Sequence, residues 1–389
     1  MAENMTNNNS PGNGSNGITP YNPDIPYNNG GTPLHKPRLE WLDAMRGFTM
    51  ILVVAYHVAQ LGFMEPAKQS ASMPFLMLFR MPLFFMVSGF LAYKASQTWN
   101  PETLMAMTGK KMRVQLIPTL VFFLLACVVL YPRFQPALDA CLLSPTKGGY
   151  WFTLVLLYMF VLYYLFCWLE SMLGRKSWLP IALLFLLSLA AYESCYLPRY
   201  CWWADGFRGK EPSLWLDYTS VIQLMKFFPF FIFGNIVRRY WDKAQHVMDS
   251  AWFFPAIVVI VTFCTLDVLK WHTLRMAWAN IPSTVAKFCL PCIVFMYFRH
   301  YAAYMTQGTF IGSTLQYIGR RTLDIYLLHF LFLPNLPAVG SFFKANRHNF
   351  LMDTTLSVLI AILVIVFCII ASNILRISPF FRKYLFGRN

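Results

Sequence analysis

Arg46 and His57 are the first residues in this sequence whose types and placement suit chemistry. The guanidinium stands at the mouth of the apolar run Gly47-Phe-Thr-Met-Ile-Leu-Val-Val-Ala-Tyr56, and the imidazole lies deep inside it. At about 100° per residue, the eleven steps between them close three turns, so both project from one helix face, roughly 16 Å apart along the axis. An ionisable group inside an apolar helix faces a protein interior or a wet cavity, because lipid would not tolerate it. A structural histidine bonded to a neighbouring helix is the other reading of that position. Arg80 falls level with His57: one lies six residues before Phe63, the other six after Pro74, and a short loop joins the two segments. An imidazole accepts a proton only while uncharged, and a neighbouring guanidinium opposes a second positive charge there.

Other polar positions fall into place around this pair. Asp43, three residues before Arg46, forms a pair with it or anchors the helix end. Glu193 offers a carboxylate partner near the outer surface, unless it snorkels there. Lys110-Lys111-Met-Arg113 can grip phosphates, either of lipid headgroups or of a nucleotide-like cofactor, using side chains alone because no glycine-rich phosphate loop is present. Trp151, in Gly148-Gly149-Tyr150-Trp151-Phe152, reads as an aromatic belt. Lys226 precedes Pro229 in an apolar run. Tyr326 and His329 share the run Gly319-Arg-Arg-Thr-Leu-Asp324-Ile-Tyr-Leu-Leu-His329, with Arg321 and Asp324 spaced as an entry-turn pair and His329 read as a structural or hydrogen-bonding group. Most cysteines (Cys127, Cys167, Cys264 and Cys368 among them) read as small buried hydrophobes, and no metal is expected. A Cys195–Cys201 disulfide is left open.

The elements that must position these groups are membrane helices. Of the 389 residues 57% are hydrophobic, 17% aromatic and only 13% charged, far from the composition of a soluble domain. The net charge of +15 could suggest nucleic acid, but the bases sit in short loops between apolar runs and no nucleic-acid motif accompanies them. The expected fold is an all-α polytopic membrane protein with about ten crossings, near 44–63, 74–93, 114–131, 150–169, 178–197, 218–237, 251–270, 278–298, 317–337 and 353–375. Bases flanking these segments fall about two to one on the side of the N-terminal tail, which places both termini in the cytoplasm. Residues 1–37, rich in Asn, Gly and Pro, read as a disordered tail without the pattern of a cleavable signal; 38–380 read as the membrane domain and 381–389 as a basic cytoplasmic end.

Taken in order, these motifs resemble acyltransferase family 3. The resemblance rests on Leu42-Asp43-x-x-Arg46-Gly47 with His57, Arg80-Met-Pro-Leu-Phe-Phe with Ser88-Gly89, Tyr150-Trp151-Phe152, Phe228-Pro229-Phe-Phe-x-x-Gly234, and the run from Gly319 to His329. It implies transfer of an acyl group, acetyl or succinyl by expectation, from acyl-CoA to a hydroxyl of a cell-envelope carbohydrate at the inner membrane. His57 would be the catalytic histidine, acting as general base or through an acyl-histidine intermediate, and Arg46 its companion. Arg80 would stabilise the oxyanion, with Lys110, Lys111 and Arg113 on the coenzyme's phosphates. The family's Arg-x-x-Arg pair is here Lys110-x-x-Arg113, which keeps the charge and loses one bidentate fork. No hydrolase-like outer domain follows, so acceptor selectivity is expected from the membrane domain. Two other readings fit the buried charges: a transporter of an anionic or glycan-linked substrate, and a non-catalytic partner of glycan-assembly enzymes.

Overall fold

The computed structural model describes residues 39–66, 70–173, 177–196, 214–268, 280–346, 349–379 and 381. The 1–37 tail, Cys201 with its pairing to Cys195, and all but Phe381 of the 381–389 end lie outside the described residues. There is no strand among the described residues. The first apolar run forms α1 (Glu40–His57), which continues through a wide π turn at Val58–Gly62. α2 (Ser72–Ala92) keeps Pro82 inside it. α3 (Pro101–Lys111) starts where the Asn100 side chain accepts from the Thr103 N–H at 2.7 Å, a capping arrangement reinforced by proline in the first turn. A second π turn, Met112–Leu116, joins it to α4 (Ile117–Val129). There follow α5 (Phe134–Leu143), α6 (Trp151–Met172), α7 (Leu179–Ser194), α8 (Leu214–Thr219) and α9 (Val221–Arg239). The chain ends with α10 (Trp241–Met248), α11 (Phe253–Val268), α12 (Ile281–His300), α13 (Phe310–Arg320), α14 (Thr322–Phe332), α15 (Pro337–Ala345) and α16 (Phe350–Leu375).

Seven stretches among the described residues are long and apolar enough to cross a membrane: α1 with its π turn, α2, α3 through α4, α6, α9, α12 and α16. Counting each bent pair as one crossing raises this to nine, with α10–α11 bent by 79° and α14–α15 by 86°. The sequence leads us to expect about ten spans. The difference has local causes. The 178–197 segment yields only the 16 residues of α7, short of the roughly 20 that a straight crossing needs. The 317–337 segment is interrupted at Arg321, which leaves helical geometry (φ −113°, ψ 17°), and again in Leu-Pro334-Asn-Leu-Pro337, where prolines withhold backbone donors.

α1 is the most enclosed of these spans. It packs chiefly on α13, and α2 chiefly on α9. Both contacts are glycine seams. A Cβ on Gly47 would stand 2.0 Å from the Leu315 carbonyl oxygen and one on Gly319 1.8 Å from that of Asp43. On the other seam, a Cβ on Gly89 would meet the Phe231 oxygen at 1.8 Å and one on Gly234 the Met86 oxygen at 1.9 Å. Small residues let two membrane helices approach backbone to backbone, where dispersion and weak polar contacts hold them without a hydrophobic driving force. The obstruction is main chain, which cannot swing aside. Replacing Gly89 with Val should therefore separate α2 from α9 and lower stability by about 1–3 kcal/mol or more. Neighbouring Ser88→Ala, which removes a 2.9 Å bond to the Phe84 carbonyl within the same helix, should cost under about 1 kcal/mol. Thermal unfolding in detergent, followed by size exclusion, separates the two.

Candidate active site

Two cavities lie along the face of α1 that carries Arg46 and His57. The smaller, about 40 Å³, is lined by His57, Arg80, Met50, Val53, Trp151 and Gly149 among others. The larger, about 460 Å³, is lined by five cations, Arg46, Lys94, Lys110, Lys111 and Arg320. Phe84, Phe152 and Tyr326 line both, so the cavities adjoin at an aromatic neck. The eleven-residue spacing thus does what a helix requires of it, sending one residue into each cavity.

At the small cavity, Arg80 is buried with its guanidinium carbon 3.5 Å from the centre of the Tyr56 ring. It makes no ion pair among the described residues, and its Nε has no hydrogen-bond partner there. A buried cation held by a π face and no carboxylate leaves positive potential in the cavity. His57 packs against Tyr56, His329 and Phe330, with its Nδ1 enclosed. The floor is fixed by Tyr326. Its hydroxyl donates to the Gly149 carbonyl at 2.8 Å and accepts from the Phe152 N–H at 3.2 Å, while Tyr150 donates to the Leu327 carbonyl at 3.0 Å. These bonds tie α14 to the first turn of α6. Trp151 stacks on Phe227 with ring centres 5.3 Å apart, so it serves as a cavity wall as well as an aromatic near the surface.

At the large cavity the acidic groups are already engaged. Asp43 lies 3.5 Å from Arg46 and 3.6 Å from Arg320. Asp324 accepts from Arg376 at 2.6 Å and from Ser372 at 2.8 Å. Arg46 also donates to Thr322 at 3.0 Å, which joins α1 to α14. With the carboxylates committed, the lysines on the remaining wall favour an anionic ligand.

Several sequence expectations change here. Arg321 does not pair with Asp324; it hydrogen-bonds Asn373, and Arg376 takes its place on the carboxylate, because the break at Arg321 destroys the i, i+3 geometry. Arg113 is exposed and lines neither cavity. The lining face runs Met107, Lys110, Lys111, Val114, Gln115, the three- and four-residue steps of one helix stripe, and Arg113 falls off it. Glu193 is not a partner of His57 or Arg80; it accepts from Thr284 at 2.7 Å and Asn280 at 3.1 Å between α7 and α12. Lys226 lines neither cavity and lies 5.6 Å from the Tyr196 ring. His329, read as structural, packs directly on His57. Lys94 and Arg320 also line the large cavity, and no spacing rule ties either to Arg46. Cys289-Leu-Pro-Cys292 is a Cys-x-x-Cys spacing inside α12 that a scan for metal or redox spacings should find; no metal-binding group of His, Cys, Asp or Glu is found among the described residues.

The helices and this two-chambered cavity define a multi-pass membrane protein with a buried imidazole–guanidinium site. A family model described as an acyltransferase domain matches residues 39–373, and the chain belongs to acyltransferase family 3. It is a membrane acyltransferase. No curated protein and no solved structure matches the chain.

The Asp324–Arg376 pair fastens α14 to α16 behind the site. Asp324→Ala would leave a mostly buried guanidinium without its carboxylate, at a cost of about 3–5 kcal/mol. Thermal unfolding should register a larger loss for Asp324→Ala than for the exposed Asp249→Ala, which removes a 2.7 Å surface pair with Arg299 that is worth under about 1 kcal/mol.

Proposed function

We propose that the protein transfers a short acyl group, acetyl or succinyl, from acyl-CoA to a hydroxyl of a cell-envelope carbohydrate, with His57 as general base. The observation that carries this reading is the adjoining of a cation-ringed chamber and a small chamber holding His57 and Arg80. Coenzyme A is a polyanion with a long uncharged arm. Its phosphates would rest among Lys94, Lys110, Lys111 and Arg46, with the exposed Arg113 outside the set. The pantetheine arm would pass the neck of Phe84, Phe152 and Tyr326 and bring the thioester to the small chamber, whose size suits a two- to four-carbon acyl group. In this reading about ten segments cross the inner membrane and both termini are cytoplasmic. The cationic chamber then faces the cytosol, where acyl-CoA is made, and the His57 end faces the glycan.

The chemistry follows from the groups present. The acceptor hydroxyl gives its proton to the bare nitrogen of His57 as its oxygen attacks the thioester carbon. Negative charge grows on the carbonyl oxygen and is met by Arg80, whose charge no carboxylate in the described residues has neutralised. The C–S bond then breaks, and the thiolate takes the proton from His57. Proton transfer of this kind contributes about 10²- to 10⁴-fold.

The assay is thiol release from acetyl-CoA by membranes bearing the protein, supplied with envelope carbohydrate. His57→Ala should lower kcat by about 10²- to 10⁴-fold with donor KM little changed. Lys111→Ala should raise donor KM with kcat held, a loss of ground-state binding, whereas Arg113→Ala should alter neither. Turnover that survives His57→Ala in a folded protein counts against the assignment, and a donor KM moved by Arg113 and not by Lys111 counts against the placement of the phosphates.

A further inference from the structure

The reaction as drawn gives no part to His329, which is wholly buried in the last turn of α14. Its ring centre lies 5.2 Å from that of His57. Its Nδ1 faces two backbone carbonyls, Tyr326 at 2.7 Å and Ile325 at 3.2 Å. Carbonyl oxygens only accept, so Nδ1 carries the ring proton, and Nε2 of the uncharged ring is a bare lone pair. That Nε2 has no hydrogen-bond partner among the described residues.

His57 presents the complementary need. Its Nδ1 is enclosed and unpartnered, its Nε2 is not enclosed, and the residue lines the small cavity. To accept a proton at Nε2 the ring must be bare there and must carry its one proton on Nδ1. A buried N–H needs an acceptor, and leaving it without one costs about 1–3 kcal/mol. Of the side chains whose rings pack on His57, which are Tyr56, His329 and Phe330, His329 is the one with an unfilled acceptor. Gln60, itself exposed, also approaches the imidazole and is the rival acceptor.

Neither nitrogen has a hydrogen-bond partner among the described residues; we propose that a turn of the two facing rings lets Nε2 of His329 accept the Nδ1–H of His57 and so hold His57 in the tautomer whose bare Nε2 faces the substrate. His329 is then a positioning residue, doing with a second imidazole what a carboxylate does for the histidine of a catalytic triad. When the acceptor O–H bond breaks and the Nε2–H bond of His57 forms, both ring protons stay on His57. The bond to His329 becomes charge-assisted, and the carbonyl end of α14 favours the new cation. The proton leaves again from Nε2 to the departing thiolate, and His329 stays neutral throughout.

This inference rests on His57 being the base, and two replacements of His329 separate it from a packing role. In His329→Asn the side-chain amide can still donate to the Tyr326 and Ile325 carbonyls, but nothing reaches the position of Nε2. In His329→Gln the amide extends to that position and its carbonyl restores an acceptor. With full-length protein in nanodiscs, acetyl-CoA as donor and envelope carbohydrate as acceptor, His329→Asn should lose about 10²- to 10⁴-fold in kcat with donor KM unchanged. His329→Gln should retain at least about tenfold more activity than Asn, and Gln60→Ala should match the parent protein. Adding His329→Asn to His57→Ala should cost nothing further, since the two act as one unit. Asn equal to or better than Gln, or a loss found in Gln60→Ala instead, overturns the proposal. Turnover that survives His57→Ala overturns the base assignment itself, which is a different result.

Discussion

The arrangement depends on burying Arg80 without a carboxylate partner among the described residues. Removing a guanidinium from water costs several kcal/mol, and the Tyr56 face at 3.5 Å returns about 2 kcal/mol when desolvated. The rest is borne by the fold. The Gly89–Gly234 seam holds α2 against α9, and Pro82 lies inside α2 two residues beyond Arg80. What remains is positive potential confined to a chamber of about 40 Å³. Such potential has little use until negative charge develops nearby, and that is the condition for stabilising a transition state more than a ground state.

The carboxylates complete the same division of labour. Asp43 links α1 to α13 through Arg320, and Asp324 links α14 to α16 through Arg376. Each acid near the large cavity is therefore spent on holding helices together, while Lys94, Lys110 and Lys111 remain on its wall. Fold and site draw on one pool of charges, and the excess of Lys and Arg over Asp and Glu, 32 against 17, is what leaves cations over for a ligand.

Much of this was legible in the sequence because it is periodic. The 11-residue phase between Arg46 and His57, the level placement of His57 and Arg80, and the helical class all follow from rise and rotation along a chain. What stayed hidden depends on contacts between distant segments. Lys94 and Arg320 join Arg46 only through packing, and Glu193 looked available until Thr284 and Asn280 from α12 claimed it. Local irregularity defeated the rest. Two π turns alter helix phase, and the break at Arg321 hands Asp324 to Arg376.

That break also places the second histidine. Gly319 touches α1 at Asp43 and Gly47. In an unbroken helix, seven steps at about 100° would bring Tyr326 back to the same face, toward α1, and leave His329 about 80° to one side of it. The non-helical geometry at Arg321 resets the phase between α13 and α14. Gly319 keeps its seam with α1, Tyr326 turns to the first turn of α6, and His329 comes round to the His57 ring. The feature that most misled a reading of 317–337 as one span is therefore the one that assembles the imidazole pair.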